Sequence, residues 1–259
     1  MSRVGGLIYG ALCYAIFLAN FLYAIAFVGD VWAPRTIDRG LSAPPATAAI
    51  IDLALLGVFA IQHSGMARRG FKRWLTRWAP ASIERSTYVL LSSAALFLVF
   101  WQWRPISAVV WRVETPWAVA TLDGLQLAGW LLALTSTFVI NHFDFFGLRQ
   151  VWLKLRGHPY APLQFQERLH YRLVRHPLML GLIVAFGATP HMTAGHLLFA
   201  AATIVYILLG LRLEERDLIA AHGDDYRRYR ERVPSLLPWP RPNPHPTCHP
   251  RHPAAGTNS

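Results

Sequence analysis

Two polar groups bracket the last apolar stretch of this chain. Arg175-His176-Pro177 stands at its start and Glu214-Glu215 at its end, beside Arg212 and Arg216. If they meet, a guanidinium, an imidazole and two adjacent carboxylates make a polar pocket in apolar surroundings, which is where ligand sites are found. Each group alone has a plainer reading. Pro is common at the first position of a helix, and Arg near a membrane surface extends its charge to water. Two further polar knots surround histidines, His63 between Gln62 and Ser64, and His142 between Asn141 and Asp144. Imidazole gains or loses a proton near neutral pH, yet such clusters also tie helix ends together by hydrogen bonds. Asp52 adds a carboxylate inside an apolar run, and pairing with Asn20 or Thr87 would satisfy it as well as a functional role.

The elements that must position these residues are membrane helices. The 259 residues are 54% hydrophobic and 15% charged, with a mean hydropathy of +0.30, against about 45–50% and about 25% in soluble chains. Ten Trp, nine Tyr and fourteen Phe exclude disorder for the bulk of the chain. Cys13 in an apolar run and Cys248 near the C-terminus give no disulfide framework.

A spanning helix needs about 20 mostly apolar residues. Candidates run over Gly5 to Gly29, about Ala46 to Met66, Tyr88 to Trp103 with a helical extension back through "IERST", and about Trp117 to Ile140. The first is too long for the apolar part of a signal peptide, so it reads as an uncleaved helix. Leu178 to Leu213 is too long for one helix and is broken by "ATPHMTAGH", which predicts a hairpin with its tip at Pro190 to Gly195. His191 and His196 at that tip read as solvated loop residues. Trp32, Trp101, Trp103, Trp111, Trp117 and Trp239 fall near helix ends, as interfacial belts do. Placing the loops on alternate sides puts one, six, six and eight Lys and Arg in the N-terminus, 67–85, 141–177 and 211–259. The opposite side has two, two and none in 30–45, 104–116 and the hairpin tip. This asymmetry predicts both termini in the cytoplasm. It also turns a net charge of +11 into orientation charge and lipid attraction, setting nucleic acid aside as a partner.

The predicted fold class is therefore all-α integral membrane: four transmembrane helices, a C-terminal transmembrane helical hairpin and a cytoplasmic amphipathic helix within 211–237. Residues 67–85 read as a basic interfacial segment with Phe71, Trp74 and Trp78 facing the headgroups. Residues 239–259 are rich in Pro and His without periodicity and read as disordered. Their His245, Cys248, His249 and His252 resemble a metal-binding tract in composition only.

The motif "RHPLMLG", followed about 30 residues later by "EERDLIAAHGDDYRRYRERVPSLLP", resembles the C-terminal core of the isoprenylcysteine carboxyl methyltransferase superfamily. Those are membrane enzymes that use S-adenosylmethionine (SAM). "QHSGMARRGFKRW", "ERSTYVLLSSAALFLVFWQWRP" and "NHFDFFGLRQVWL" resemble its bacterial methanethiol S-methyltransferase branch, itself related to nurim and to a nitrite-reductase-associated membrane family. The resemblance covers about residues 5–238. It implies one membrane methyltransferase domain over 1–238, with a cofactor-binding core at about 141–238. It also implies a SAM pocket lined by Tyr171, His176, Pro177, Leu178 and Met179, closed by Glu214 or Glu215, with Arg212 facing substrate. Met179 departs from the Tyr of many members and loses that phenol's hydrogen bond.

The chemistry of SAM agrees with these residues. A carboxylate such as Glu215 suits its ammonium or ribose hydroxyls, and Arg175 suits its carboxylate. Tyr171, Phe165 or Tyr226 could face the sulfonium; Phe145, Phe146 and Trp152 could stack adenine, though aromatics at such positions more often pack the core. No G-x-G-x-x-G follows a predicted strand, which excludes a soluble Rossmann-type methyltransferase. Methylating a small thiol requires in-line placement and removal of one proton, for which His63 and His142 are the candidates. The implied reaction is methanethiol to dimethyl sulfide. Its rivals are methylation of a lipid or prenylcysteine substrate, and a non-catalytic scaffold or haem-handling role for His63 and His142.

Overall fold

The computed structural model describes residues 2–161 and 168–238. Phe165, Trp239 and the tail from 239 with its histidines and Cys248 lie outside the described residues. The chain begins with α1 (Arg3–Val28) and α2 (Pro45–Ala67). A short basic helix α3 (Arg69–Leu75) leads to α4 (Ala81–Gln102), strand β1 (Val109–Arg112) and α5 (Pro116–Ile140). Two small helices follow, α6 (His142–Phe145) and α7 (Leu148–Arg156), then a 3-10 turn at Leu169–Arg172. The chain ends with α8 (Pro177–Gly187), strand β2 (His191–Thr193), α9 (Ala194–His222) and α10 (Asp224–Arg232). Proline opens α2, α5 and α8, where its missing N–H costs nothing.

Five of these helices, α1, α2, α4, α5 and α9, are long and apolar enough to cross a membrane. Their 22 to 29 residues reach about 33–44 Å, enough for the hydrocarbon core. Exposed side chains such as Leu125, Leu127, Leu131 and Phe138 on α5 form the surface that lipid covers. This is an all-α integral membrane protein, as the composition predicts.

The hairpin is asymmetric. The eleven residues of α8 rise about 16 Å, too short to span. The extended segment after it carries β2, whose backbone pairs with β1 in the loop between α4 and α5 (Val109↔Thr193, Trp111↔Met192, Arg112↔His191). Sequence periodicity does not show this sheet, whose strands are only three and four residues long. His196 is correspondingly not a solvated residue: it is 1% exposed, and its Nε2 lies 2.9 Å from the Phe186 carbonyl oxygen.

α8 is seated on α5 by glycine. A Cβ on Gly181 would lie 2.6 Å from the Ala133 nitrogen and 2.6 Å from the Gly129 oxygen, so the two backbones touch. The end remote from the termini is closed by a core of Phe27, Ile37, Phe100, Trp103 and Phe199, with Trp103 Nε1 donating to the Ile37 carbonyl at 3.1 Å. There Asp52 pairs with neither Asn20 nor Thr87. Its Oδ1 accepts the Arg104 backbone N–H at 2.9 Å, a donor that lies beyond the end of α4. Asn20 and Thr87 instead donate to carbonyls of their own helices, Ile16 and Ile83.

Candidate active site at the basic end of the bundle

The other end carries the N-terminus, α3, α6, α7 and α10. Hairpin closure brings the start of α8 against the last turns of α9. His176, the N-cap of α8, places Nε2 3.2 Å from Glu215 Oε1 and Nδ1 3.8 Å from Glu214 Oε2. Arg175 is 6% exposed and grips the same Glu215 oxygen from Nε at 2.9 Å and from a terminal nitrogen at 2.5 Å. Its remaining terminal nitrogen donates to the carbonyls of Arg230 (3.0 Å) and Val233 (2.5 Å) in the last turn and at the C-cap of α10. The backbone joins in, with the N–H groups of Arg175 and His176 donating to Pro234 and Ser235. These four side-chain bonds commit Arg175 to building the site. The guanidinium that the sequence offers to a ligand carboxylate is turned to protein acceptors.

α10 is a cap. Gly223, at φ +58, ends α9 and turns the chain back. Tyr226, Tyr229 and Val233 then bury against Leu218 and Ile219. Tyr229 donates its hydroxyl to the Tyr171 carbonyl at 2.6 Å, tying the cap to the 3-10 turn before Arg175. Burial pushes the phenols of Tyr171 and Tyr226 up, that of Tyr226 to about 12, so both stay neutral at any physiological pH. Pro177 is buried in the first turn of α8, with Leu178 and Met179 half-buried beside it.

The two acids differ. Glu215 is clasped by Arg175 and His176, whereas the Glu214 side chain is 49% exposed and free to meet a ligand. An open carboxylate beside an imidazole, with phenol rings at hand, suits a ligand bearing positive charge and hydroxyls. The structure thus brings together Arg175, His176, Glu214 and Glu215, with Tyr171 joined through Tyr229. Arg212 sits on the exposed side of α9 and joins none of these contacts.

His63 and His142 occupy separate clusters. His63 Nε2 is 2.9 Å from the Tyr88 hydroxyl and Nδ1 3.2 Å from Ser92 Oγ, with the ring stacked on Phe59. Next to it Ser64 bonds the Tyr206 hydroxyl at 2.9 Å, joining α2 to α9. Tyr206 precedes Glu214 by about 12 Å along the helix axis, so His63 lies deeper in the bundle than the acid pair. His142 Nδ1 is 2.7 Å from Thr137 Oγ1 and Nε2 2.8 Å from the Tyr14 hydroxyl, with the ring stacked on Phe138 at 4.1 Å. Burial holds its pKa below the ordinary value. All four ring nitrogens face hydroxyls. Tyr14, Tyr88, Ser92, Thr137 and Tyr206 escape sequence reading, although a hydroxyl inside a membrane helix is itself a signal of such pairing.

No family model matches the chain, and no solved structure does. Among known proteins it is 60% identical over 240 residues to methanethiol S-methyltransferase of Mycobacterium tuberculosis, covering 93% of this chain and 98% of the relative. It is 53% identical over 234 residues to methanethiol S-methyltransferase 1 of Bradyrhizobium diazoefficiens, covering 90% and 82%. Mouse nurim is 31% identical over 196 residues, 72% of each chain. With such likeness over nearly its whole length, the chain belongs to the methanethiol S-methyltransferase family of nurim-like integral membrane proteins.

Proposed function

We propose that the chain transfers the methyl group of SAM to the sulfur of methanethiol, releasing dimethyl sulfide, S-adenosylhomocysteine and one proton. The observation that carries the reading is the open Glu214 carboxylate beside His176 and the clasped Glu215. It lies in the segment, about 141–238, that the resemblance assigns to the cofactor.

When bound, SAM supplies a sulfonium methyl for in-line transfer to a thiolate. Glu214 would accept from its ammonium or ribose hydroxyls, and Glu215, held by Arg175, would stand beside it. Pro177, Leu178 and Met179 in the first turn of α8 would line its site, and Tyr171 would offer an aromatic face. Arg175 acts by positioning, through Glu215 and the cap. His63 and His142 are the candidates to take the thiol proton, and Arg212 adds positive charge that favours thiolate. The basic end faces the cytoplasm of a bacterial inner membrane, where SAM is made, and both termini lie there.

Membranes bearing the protein, given SAM and methanethiol, are expected to release dimethyl sulfide into the headspace, measured by gas chromatography. SAM binding without dimethyl sulfide would sink the substrate. Glu215→Ala and His176→Ala are expected to abolish SAM binding, and unchanged binding in both would sink the site.

A further inference from the structure

A cavity of about 630 Å³ opens at the basic end, on elements that take no part in the acid–imidazole site. Its walls come from α3, the N-terminus of α4, α6, α7 and residues 158–160. A second cavity of about 140 Å³ shares Pro80, Ser82 and Lys154 with it and adds Ser2 and Arg3. Lys72, Arg85 and Lys154 bring positive charge into the larger cavity, with His158 at its wall. Of its two acids, Asp144 is already neutralised by Arg149 at 2.8 Å, which leaves Glu84 against three cations. Neither Lys72 nor Lys154 pairs through its ammonium with any described residue. The N-cap of α4 is Pro80, which supplies no side-chain bond to the first N–H groups at Ala81 and Ser82. A 22-residue helix therefore directs uncapped N–H donors and the positive end of its dipole into the same space. Of the rest of the lining, Pro80, Ala81, Pro159 and Tyr160 are apolar or aromatic, and Ser82 and Gln150 are polar. Trp74 and Trp78, 52% and 80% exposed on and after α3, set this corner at headgroup depth.

We propose that this cavity binds the phosphate of an anionic phospholipid headgroup, its cations taking the phosphodiester and its apolar wall the glycerol. The site is independent of the methyl-transfer reading. A free phosphate ester has the same chemistry, so the test separates the two sources.

The protein in phosphatidylcholine nanodiscs, with or without phosphatidylglycerol, is unfolded thermally. The partners are Lys72→Gln/Lys154→Gln and, as a control away from the cavity, Arg73→Gln/Arg77→Gln. Phosphatidylglycerol is expected to raise the midpoint by roughly 3–5 °C in wild type and control, and by less than a third of that in the lysine pair. Glycerol phosphate or inorganic phosphate in plain phosphatidylcholine is expected to add nothing. An equal rise in the lysine pair would reduce the effect to a general surface field. An equal rise with free phosphate would overturn the lipid source, and loss of SAM binding in the lysine pair would assign the cavity to the cofactor. The single variants, read the same way, serve if the pair fails to fold.

Discussion

Arg175→Met severs the clamp on which the acid pair depends. It removes a cation that is 6% exposed and makes four hydrogen bonds, while keeping most of its apolar bulk. Glu215, with an 18% exposed side chain, is left beside an imidazole as its only partner. Breaking a buried pair by removing one member costs about 3–5 kcal/mol. The Arg230 and Val233 carbonyls also lose a donor, but these terms overlap within one network and are not added. Two of the four bonds hold the cap and two hold Glu215 on α9, so about half of the loss falls on cap docking, and the opened population should rise roughly 10-fold or more. A brief trypsin pulse in detergent reads this directly, because the cap carries Arg227, Arg228, Arg230 and Arg232. Cleavage tracks the open population when opening is fast. Cutting within 227–232 is expected to accelerate accordingly, with amide exchange at 175 and 176 rising in parallel. Arg175→Lys keeps the charge and loses the planar fork, and should fall in between. Cleavage of Arg175→Met within threefold of wild type would refute the clamp.

Two further outcomes follow from packing and charge. Gly181→Ala drives a methyl to within 2.6 Å of backbone on α5, which should cost about 1–3 kcal/mol and lower the melting midpoint by several degrees; an unchanged midpoint would show that α8 is not seated on that contact. His142 is held below its ordinary 6.5, so the unfolded chain binds a proton in that window that the folded chain does not. The stability it contributes is full above about pH 6.5 and drains as pH falls, so the midpoint should drop more steeply between about pH 7 and about pH 5 in wild type than in His142→Asn. Parallel slopes would contradict that burial.

Much of the bundle is legible in the sequence because hydrocarbon imposes few solutions. Runs of apolar residues must be helices, and unequal basic loops order them, so the meeting of His176 with Glu214 and Glu215 follows from hairpin closure alone. What stays hidden is whatever depends on lateral neighbours. Arg175 reads as a ligand-facing cation until the carbonyls at 230 and 233 are in place to take its protons. Asp52 finds a backbone N–H that no pattern advertises. Apart from Thr137, the hydroxyl partners of His63 and His142 come from helices 25 to 128 positions away. The short α8 is foreshadowed by the position of Pro177, but the strand pairing that follows it depends on a loop some 80 residues upstream.

The bonds from Arg175 and His176 to residues 230–235 also fix a timetable. A membrane protein is threaded from its N-terminus, so all five long helices have been made while the acceptors at 230–235 are still to come. The acid pair then stands at the end of a finished bundle with nothing to hold it. The proposed site is thus assembled only after the last long helix has been made. A message cut short anywhere between about 223 and 233 would still yield every long apolar helix, a chain the cell would see as inserted cargo and the chemistry would see as blank.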